Sequence, residues 1–455
     1  MATWSTVNIA DTQARNRLDA EFYRPDFLAS EKALTTSGAR PLASYGPDMR
    51  YGLNVEPEYV EKGLPFIRAL NLKENGIEGE ILNIPYSAAD VGAENILEEG
   101  DILCVRSGAN VGDTGFVDSA LAGFTFGSYV IRIRITDIDP YYLYVFFKSK
   151  HGRLQTVRLR SGSAQPNISL PNLRELFVLK PTPAQQGRVR EQFEQSIAVR
   201  RSAAEHIATA ESLLMEALGL DHLDLTPQKC YVRPFRDLHA GKRFGAEYYM
   251  PCKKRVLDAL TKLPHRAIAD HAPAIRETWD PTSASKVERV RNFDITDALE
   301  PFLDDAAEPQ SAAEIGSTKK RFRSGDVVIS RLRSYLKEIA IVRTSDALPA
   351  LGSSEFIVLR PTGHGISAET LMVFLRCPVV QTVLKWSQDG SNHPRFAEED
   401  LRAIPVPDVT LRVQEKIDAL VQKAIEARRE AARLLEKAKN IVENLIAGQA
   451  GGNDK

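Results

Sequence analysis

Cysteine is scarce in this chain. Four occur in 455 residues (Cys104, Cys230, Cys252 and Cys377), and no two form a C-x-x-C pair. That argues against a disulfide framework and a cysteine-based zinc site, and it fits a reducing cytoplasm. No apolar run reaches the roughly 18 residues that a membrane span needs. The first residues, Met1-Ala2-Thr3-Trp4-Ser5, lack a basic stretch leading into an apolar one, so no secretory signal is expected. An excess of one charge is also missing. Lys and Arg total 59 against 60 Asp and Glu, a net charge of −1. This excludes a uniformly basic protein that coats nucleic acid, but not a local basic surface.

Catalytic signatures are absent too. There is no G-x-x-x-x-G-K-[ST] loop, H-E-x-x-H pair or G-x-S-x-G elbow, and the eight histidines show no ligand spacing. The string closest to an adenine-methyltransferase motif, Asp139-Pro140-Tyr141-Tyr142, lacks the second proline, and no lysine follows an acid by two positions as in a restriction-type nuclease. These absences favour a binding protein over an enzyme.

What is present is a duplication. Arg17-Leu18-Asp19-Ala20-Glu21-Phe22-Tyr23-Arg24-Pro25 returns as Arg243-Phe244-Gly245-Ala246-Glu247-Tyr248-Tyr249-Met250-Pro251. Gly100-Asp101-Ile102-Leu103 returns as Gly325-Asp326-Val327-Val328, Gln155-Thr156-Val157 as Gln381-Thr382-Val383, and Ser161-Gly162-Ser163 as Asp389-Gly390-Ser391. Order is kept and the offset drifts only from 225 to 228. Two copies are too few for a solenoid and imply two similar domains.

Each copy has a globular part and then a long helix. We assign 1–182 to a first globular domain, 183–218 to a helix, 219–243 to a linker, 244–409 to a second globular domain, 410–447 to a second helix and 448–455 to a tail. Ile131, Ile133 and Ile135 alternate with Arg132 and Arg134, which predicts a half-buried strand with the arginines on its solvated face. The runs after Gly100-Asp101 and Gly325-Asp326 also read as strands. Tyr142 to Phe147 and Leu371 to Leu375 read as short buried helices. In the long helices Val189, Phe193, Ala204, Ile207, Leu214 and Leu218, then Ile417, Leu420, Ala424, Ala431, Leu434, Ala438, Ile441 and Leu445, follow three- and four-residue steps. Such a seam packs either on its own globular domain or on the other long helix. An antiparallel pair uses both seams at once.

Candidate nucleic-acid contacts cluster in loops. Residues 140–174 carry no acid but hold Lys148, Lys150, Arg153, Arg158, Arg160 and Arg174, beside Ser161, Ser163, Gln165 and Asn167. Cations attract phosphate irrespective of sequence, whereas Arg, Asn, Gln and Ser can read base edges. An earlier loop adds Arg106, Ser107 and Asn110. The second copy offers Lys319, Lys320, Arg321, Arg323, Arg331, Arg333, Tyr335 and Lys337, seven cations against one acid over 319–337, and then Lys385, His393 and Arg395.

The repeated A-E-[FY]-Y-x-P motif (Ala20–Pro25, Ala246–Pro251) resembles the specificity subunit of type I restriction-modification systems. So do the G-D-[IV]-[LV] strands, the loop Ser161–Ile168 and the long helix that follows. The resemblance implies an α+β fold: two pseudo-symmetric target recognition domains, each followed by a long helix, with the helices packed as an antiparallel coiled coil. It implies no catalysis and no cofactor in this chain. The partners would be double-stranded DNA, adenine-N6 DNA methyltransferase subunits and an ATP-dependent restriction subunit, and SAM, ATP and Mg²⁺ would belong to those proteins. A helix of about 36 residues spans roughly 50 Å, more than the 34–36 Å of one DNA turn. Two readers held by such rods would meet half-sites about a turn apart. Because the loops differ between copies, the target would be asymmetric. A coiled-coil scaffold without a DNA role, and an enzyme with a degenerate active site, are the alternatives.

Overall fold

The computed structural model describes residues 4–15, 17–55, 58–60, 62–73, 76–77, 79, 81–108, 110–162, 166–237, 243–282, 287–345 and 347–448. The chain is mixed α/β and divides into two compact units, Met1–Arg200 with Arg429–Lys455, and Arg201–Arg428. No helix among the described residues is long and apolar enough to cross a membrane.

In the first unit, Asp48–Tyr51, Val130–Arg134, Ile102–Val105 and Thr114–Phe116 form an antiparallel sheet in that order. A second sheet pairs Leu64–Ile67 with Leu82–Ile84 and, in parallel, with Thr125–Phe126. The helix Pro140–Lys148 packs on the sheet, and Lys150–Arg158 packs on that helix and on Pro25–Thr36. The first of these is apolar almost all round and is buried along its length, as a core helix should be. The second unit repeats this plan with the strands Phe356–Leu359, Val327–Ser330 and Ile339–Arg343, a parallel pair of Arg289–Phe293 with Ala350–Gly352, and the helices Ala368–Arg376 and Pro378–Lys385.

The repeated motifs acquire physical reasons. Tyr23 donates its hydroxyl to the Arg17 carbonyl at 3.0 Å, and Tyr249 does the same to Arg243 at 2.8 Å. The arginine lies over the preceding ring, Arg17 on Phe22 at 4.6 Å and Arg243 on Tyr248 at 4.5 Å. Pro25 and Pro251 then begin helices, where a missing N–H costs nothing. Gly100 and Gly325 take φ of +93° and +90° in the turns before the Asp-led strands, which explains glycine there.

The alternating arginines correct the strand reading. Arg132 is 1% exposed, donates to the Glu94 carbonyl at 2.8 Å and pairs with Asp48. Burial lowers its pKa. Arg134 is held by Asp101 and by the Ile96 carbonyl. Neither faces solvent as a free charge. Arginine periodicity marked a strand, but its second face is closed by ion pairs.

The long helices run Pro183–Leu218 and Gln414–Ile446, the second preceded by a short helix, Asp408–Arg412. Each opens with a glutamine that anchors it to the globular part of its unit. Gln186 Oε1 accepts from the Asp139 amide and Gln414 Oε1 from the Ser367 amide, both at 2.8 Å. Within the first unit, Val189 and Phe193 share a core with Ala438, Val442 and Ile446. There Phe193 stacks on Tyr144, and Ser196 donates to the Ala431 carbonyl at 2.7 Å. Within the second unit, Ala210, Leu214 and Leu218 share a core with Ile417, Val421 and Ile425. Within each unit, then, residues of both long helices join the core of the globular part. The buried face of the second helix also differs by one position, with Val421, Val442 and Ile446 inside and Leu420, Ile441 and Leu445 only partly buried.

Candidate nucleic-acid interface

The same two loops meet in each unit. In the first, the late loop is closed by Ser161 and Asn167, whose amides and carbonyls bond in both directions at 2.9 and 2.8 Å. Asn167 also bridges to Ser107, and the Ile168 amide donates to the Arg106 carbonyl at 2.8 Å. In the second, Asp389 pairs with Arg395, Arg395 bridges to Leu332, and the Phe396 amide donates to the Arg331 carbonyl at 3.2 Å. Pro394–Phe396 is thus the structural counterpart of 166–168, although its residue types differ after the proline. Gly162 and Gly390, φ +91° and +99°, make the same turn.

The side chains lining the two loop pairs differ. In the first unit Arg106 lies 4.4 Å over the Tyr51 ring, beside the backbone of Tyr129, itself 58% exposed. Ser107 is buried at the bridge, and Asn110 donates to the Leu72 carbonyl at 3.4 Å. Ser161 is exposed and Asn167 half-buried. Ser163 and Gln165 lie outside the described residues. The two tyrosines carried no sequence signal, since they are distant in the chain from both loops.

In the second unit Glu355 stands where the first has Tyr129. It accepts from Arg331 at 3.0 Å and from Arg395 at 2.7–3.2 Å, and these bonds, Arg395 foremost, lower its pKa. Arg333 donates to the Asn392 carbonyl and approaches His393 Nδ1, both at 3.2 Å. Tyr335 is exposed, and Lys385 sits 5.2 Å over the Trp386 ring. Arg333 and Lys337 have φ of +49° and +52° and are the non-glycine residues with positive φ among those described. Their counterparts in the first unit are Gly108 and Gly112, also at positive φ. The second unit keeps the loop shape and adds two cations at strained positions, an arrangement associated with function.

Other candidates lie elsewhere. Lys148 is 7% exposed and donates to the Thr114 carbonyl at 2.7 Å and the Lys73 carbonyl at 3.3 Å. Arg158 is also 7% exposed, bonded to the Phe22 carbonyl and Glu31 and stacked on the Phe22 ring. Both cations are engaged inside the fold. Lys150 is exposed at a helix start whose amide donates to Glu443. Lys319, Lys320 and Arg321 lie on the strand Lys319–Phe322, not in a loop, and Arg323 pairs with Glu277. Arg160 borders the late loop with its Nε buried and without a hydrogen-bond partner among the described residues. No group of three or more His, Cys, Asp or Glu among the described residues is placed to hold a metal ion.

No family model matches the chain, and no curated protein matches it. Solved structures do. One is the type I restriction-modification system S subunit from M. genitalium, 15% identical, covering 91% of this chain and 96% of that one with a TM-score of 0.37. Another is the HsdS subunit from Thermoanaerobacter tengcongensis, 16% identical over 89% of this chain and 97% of that one, TM-score 0.27. A third, from a study of complex assembly and conformational transition of the type I R-M system, is 16% identical over 89% and 98%, TM-score 0.28. Each of these three solved structures is matched over about nine-tenths of this chain, one described as a type I restriction-modification system S subunit, one as an HsdS subunit and one as part of the type I R-M system.

Proposed function

We propose that this chain is the DNA-recognition subunit of a type I restriction-modification complex and that each unit reads one half of a split, asymmetric duplex target. One observation carries the reading. Both units bridge the same two loops with the same backbone bonds yet line them with different side chains, and the second holds Arg333 and Lys337 at left-handed positions where the first has glycine. A scaffold has no need of strained cations on otherwise matched loops. Readers of two different half-sites do. The proposed contact set is Arg106, Ser161, Ser163, Gln165, Asn167 and Arg160 in the first unit, and Arg331, Arg333, Tyr335, Lys337, His393 and Arg395 in the second.

The two units would be pseudo-symmetric, with the long helices an antiparallel pair. The Ser196–Ala431 bond and the shared cores at 189–193 with 438–446 and at 210–218 with 417–425 support that direction. The chain itself is non-catalytic in this reading and works in the cytoplasm. Two adenine-N6 methyltransferase subunits would bind SAM, and a restriction subunit would use ATP and Mg²⁺. The test is footprinting on a random duplex pool with and without a methyltransferase encoded beside this chain. Two protected half-sites separated by unread bases are expected. Methylation or cutting by the chain alone, or no DNA enrichment in either condition, would refute the reading.

A further inference from the structure

The first unit holds a small, open pocket between the loop Gly112–Thr114 and the helix Lys150–Arg158. Lys148, Arg153 and Arg160 line it against one acid, Asp113. The Arg160 Nε is buried and has no hydrogen-bond partner among the described residues. Thr156 forms the wall nearest Gly112, where an added Cβ would meet the Thr156 Cβ at 3.3 Å and the Arg160 guanidinium at 3.6 Å.

The second unit shows which of these residues the fold itself needs. Lys148 corresponds to Arg376, and both donate to the equivalent strand carbonyl, Thr114 or Ile339. That cation is structural in both. Counted from the equal-length helices Pro140–Lys148 and Ala368–Arg376, Arg153, Thr156 and Arg160 correspond to Gln381, Leu384 and Gln388, so the similar strings Gln155-Thr156-Val157 and Gln381-Thr382-Val383 lie two positions out of structural register, and Gly112 corresponds to Lys337. Gln388, oriented to satisfy its neighbours, accepts from the Arg333 and Ser334 amides at 3.2 and 2.7 Å. The same fold thus closes without Arg153 and Arg160. Arg160 in particular has no cationic counterpart in the second unit, and its Nε is a buried donor without a hydrogen-bond partner among the described residues.

We propose that this pocket binds a phosphate group, with Arg160 as the principal donor and Arg153 and Lys148 supplying field. The pocket stands on its own geometry. Identifying the phosphate as a backbone phosphodiester of bound DNA rests on the function proposed above. In that case the first unit is anchored beside its late loop by a contact that the second lacks.

Thermal unfolding of the full chain, titrated with sodium phosphate against sodium chloride at matched ionic strength, tests the pocket. Phosphate stabilises many proteins by exclusion, so the decisive quantity is the difference from Arg160→Gln, which installs the second unit's residue. A saturable phosphate-dependent rise in Tm is expected in the wild type and not in the variant. Thr156→Leu, which adds bulk to the pocket wall, is expected to abolish it too. Equal responses of the wild type and whichever variants fold would overturn the proposal. Duplex binding separates the sources. Loss of one phosphate contact lowers the slope of log K against log salt by about 0.9, and that drop in Arg160→Gln identifies DNA. A phosphate response with an unchanged slope keeps the pocket and assigns it to a free phosphate-bearing ligand. A chain that binds no duplex, with or without a methyltransferase, refutes the proposed function while the phosphate titration still decides the pocket.

Discussion

Asp101 grips Arg134 with two hydrogen bonds of 2.7 Å, one to Nε and one to Nη2, and Asp326 grips Arg360 in the same way at 2.7 and 3.0 Å. Each aspartate is 1% exposed and also accepts from a backbone amide three residues earlier, Glu98 or Arg323, at 2.8 Å. The Gly-Asp turn that repeats in the sequence is therefore a strand start locked by a buried carboxylate. Removing the carboxylate takes charged hydrogen bonds from the arginine and from the turn amide, while Arg134 keeps Glu98 and Arg360 keeps Glu277, so the cost is about 1.5–3 kcal/mol. Asp101→Ala is expected to destabilise the folded first unit by that order, and Asp326→Ala the second. Urea titrations followed by hydrogen exchange assign the loss to a unit. A loss under about 1 kcal/mol would show that the pair contributes little.

These pairs also explain what the sequence could and could not reveal. Pro183 and Gly219 punctuate the first long helix, and the Gly-Asp repeat marks a turn whose glycine is legible locally, although its aspartate is held by an arginine more than 30 residues further on. What stayed hidden depends on partners far along the chain. Arg132 looks solvent-facing until Asp48 and the Glu94 carbonyl close over it. Arg158 looks like a loop cation until Glu31 and Phe22, more than 120 residues earlier, engage it. Tyr51 and Tyr129 flank the first loop pair only because the strand Val130–Arg134 lies beside Asp48–Tyr51. Cation spacing marks a basic segment but does not say which side chains the fold has already used.

Arg158 and Arg160 should therefore behave oppositely. Arg158→Ala removes bonds to the Phe22 carbonyl at 2.9 Å and to Glu31 at 2.8 Å. Glu31 is held below its usual pKa chiefly by hydrogen bonds from Arg158 and Arg15, against the opposing effect of burial. We expect a stability loss of about 3–5 kcal/mol with an unchanged salt slope for DNA binding. A normal melt combined with a shallower slope would put Arg158 back on the interface.

Glu355 is an acid in the middle of a proposed DNA surface. It occupies Arg331 and Arg395 together, so those cations reach phosphate only by exchanging it. Glu355→Gln releases both. Affinity for arbitrary duplex should rise, and the slope of log K against log salt should steepen by about 0.9 for each phosphate newly engaged. Discrimination between cognate and random duplex should fall. Competition binding at several salt concentrations measures all three. Unchanged non-specific affinity would mean that the pair is structural only.

Lys253 gives a pH signature. Its ammonium donates to the Trp386 carbonyl at 3.4 Å and lies 3.4 Å over the Tyr248 ring, and burial pushes its pKa down to about 8. Asp400, Arg243 and Asp389 are the charged groups around it. The unfolded chain holds this proton up to about 10.4, so between pH 8 and 10 it binds more protons than the folded one. Stability then rises with pH through that window and levels off at its lower value below about pH 8, where both states hold the proton. Lys253→Met should flatten this dependence and raise stability at pH 7, as Phe27 at the corresponding place in the first unit suggests. Urea midpoints of both proteins from pH 7 to 9.5 provide the check, and parallel curves would contradict the assignment.

The helix pair is tested by lengthening it. The division between the units crosses both rods, between Arg200 and Arg201 and between Arg428 and Arg429. Seven residues inserted at each place keep the seam in phase to within about 20° and add about 10 Å at 1.5 Å per residue. At 3.4 Å per base pair, the unread segment of the target should grow by about three base pairs while both half-sites keep their sequences. Insertion into one rod alone puts its seam out of register with its partner and should instead destabilise the chain. Selection of duplexes from a random pool reads the outcome directly. If the doubly lengthened protein selects an unaltered spacing, the rods do not set the distance between the readers.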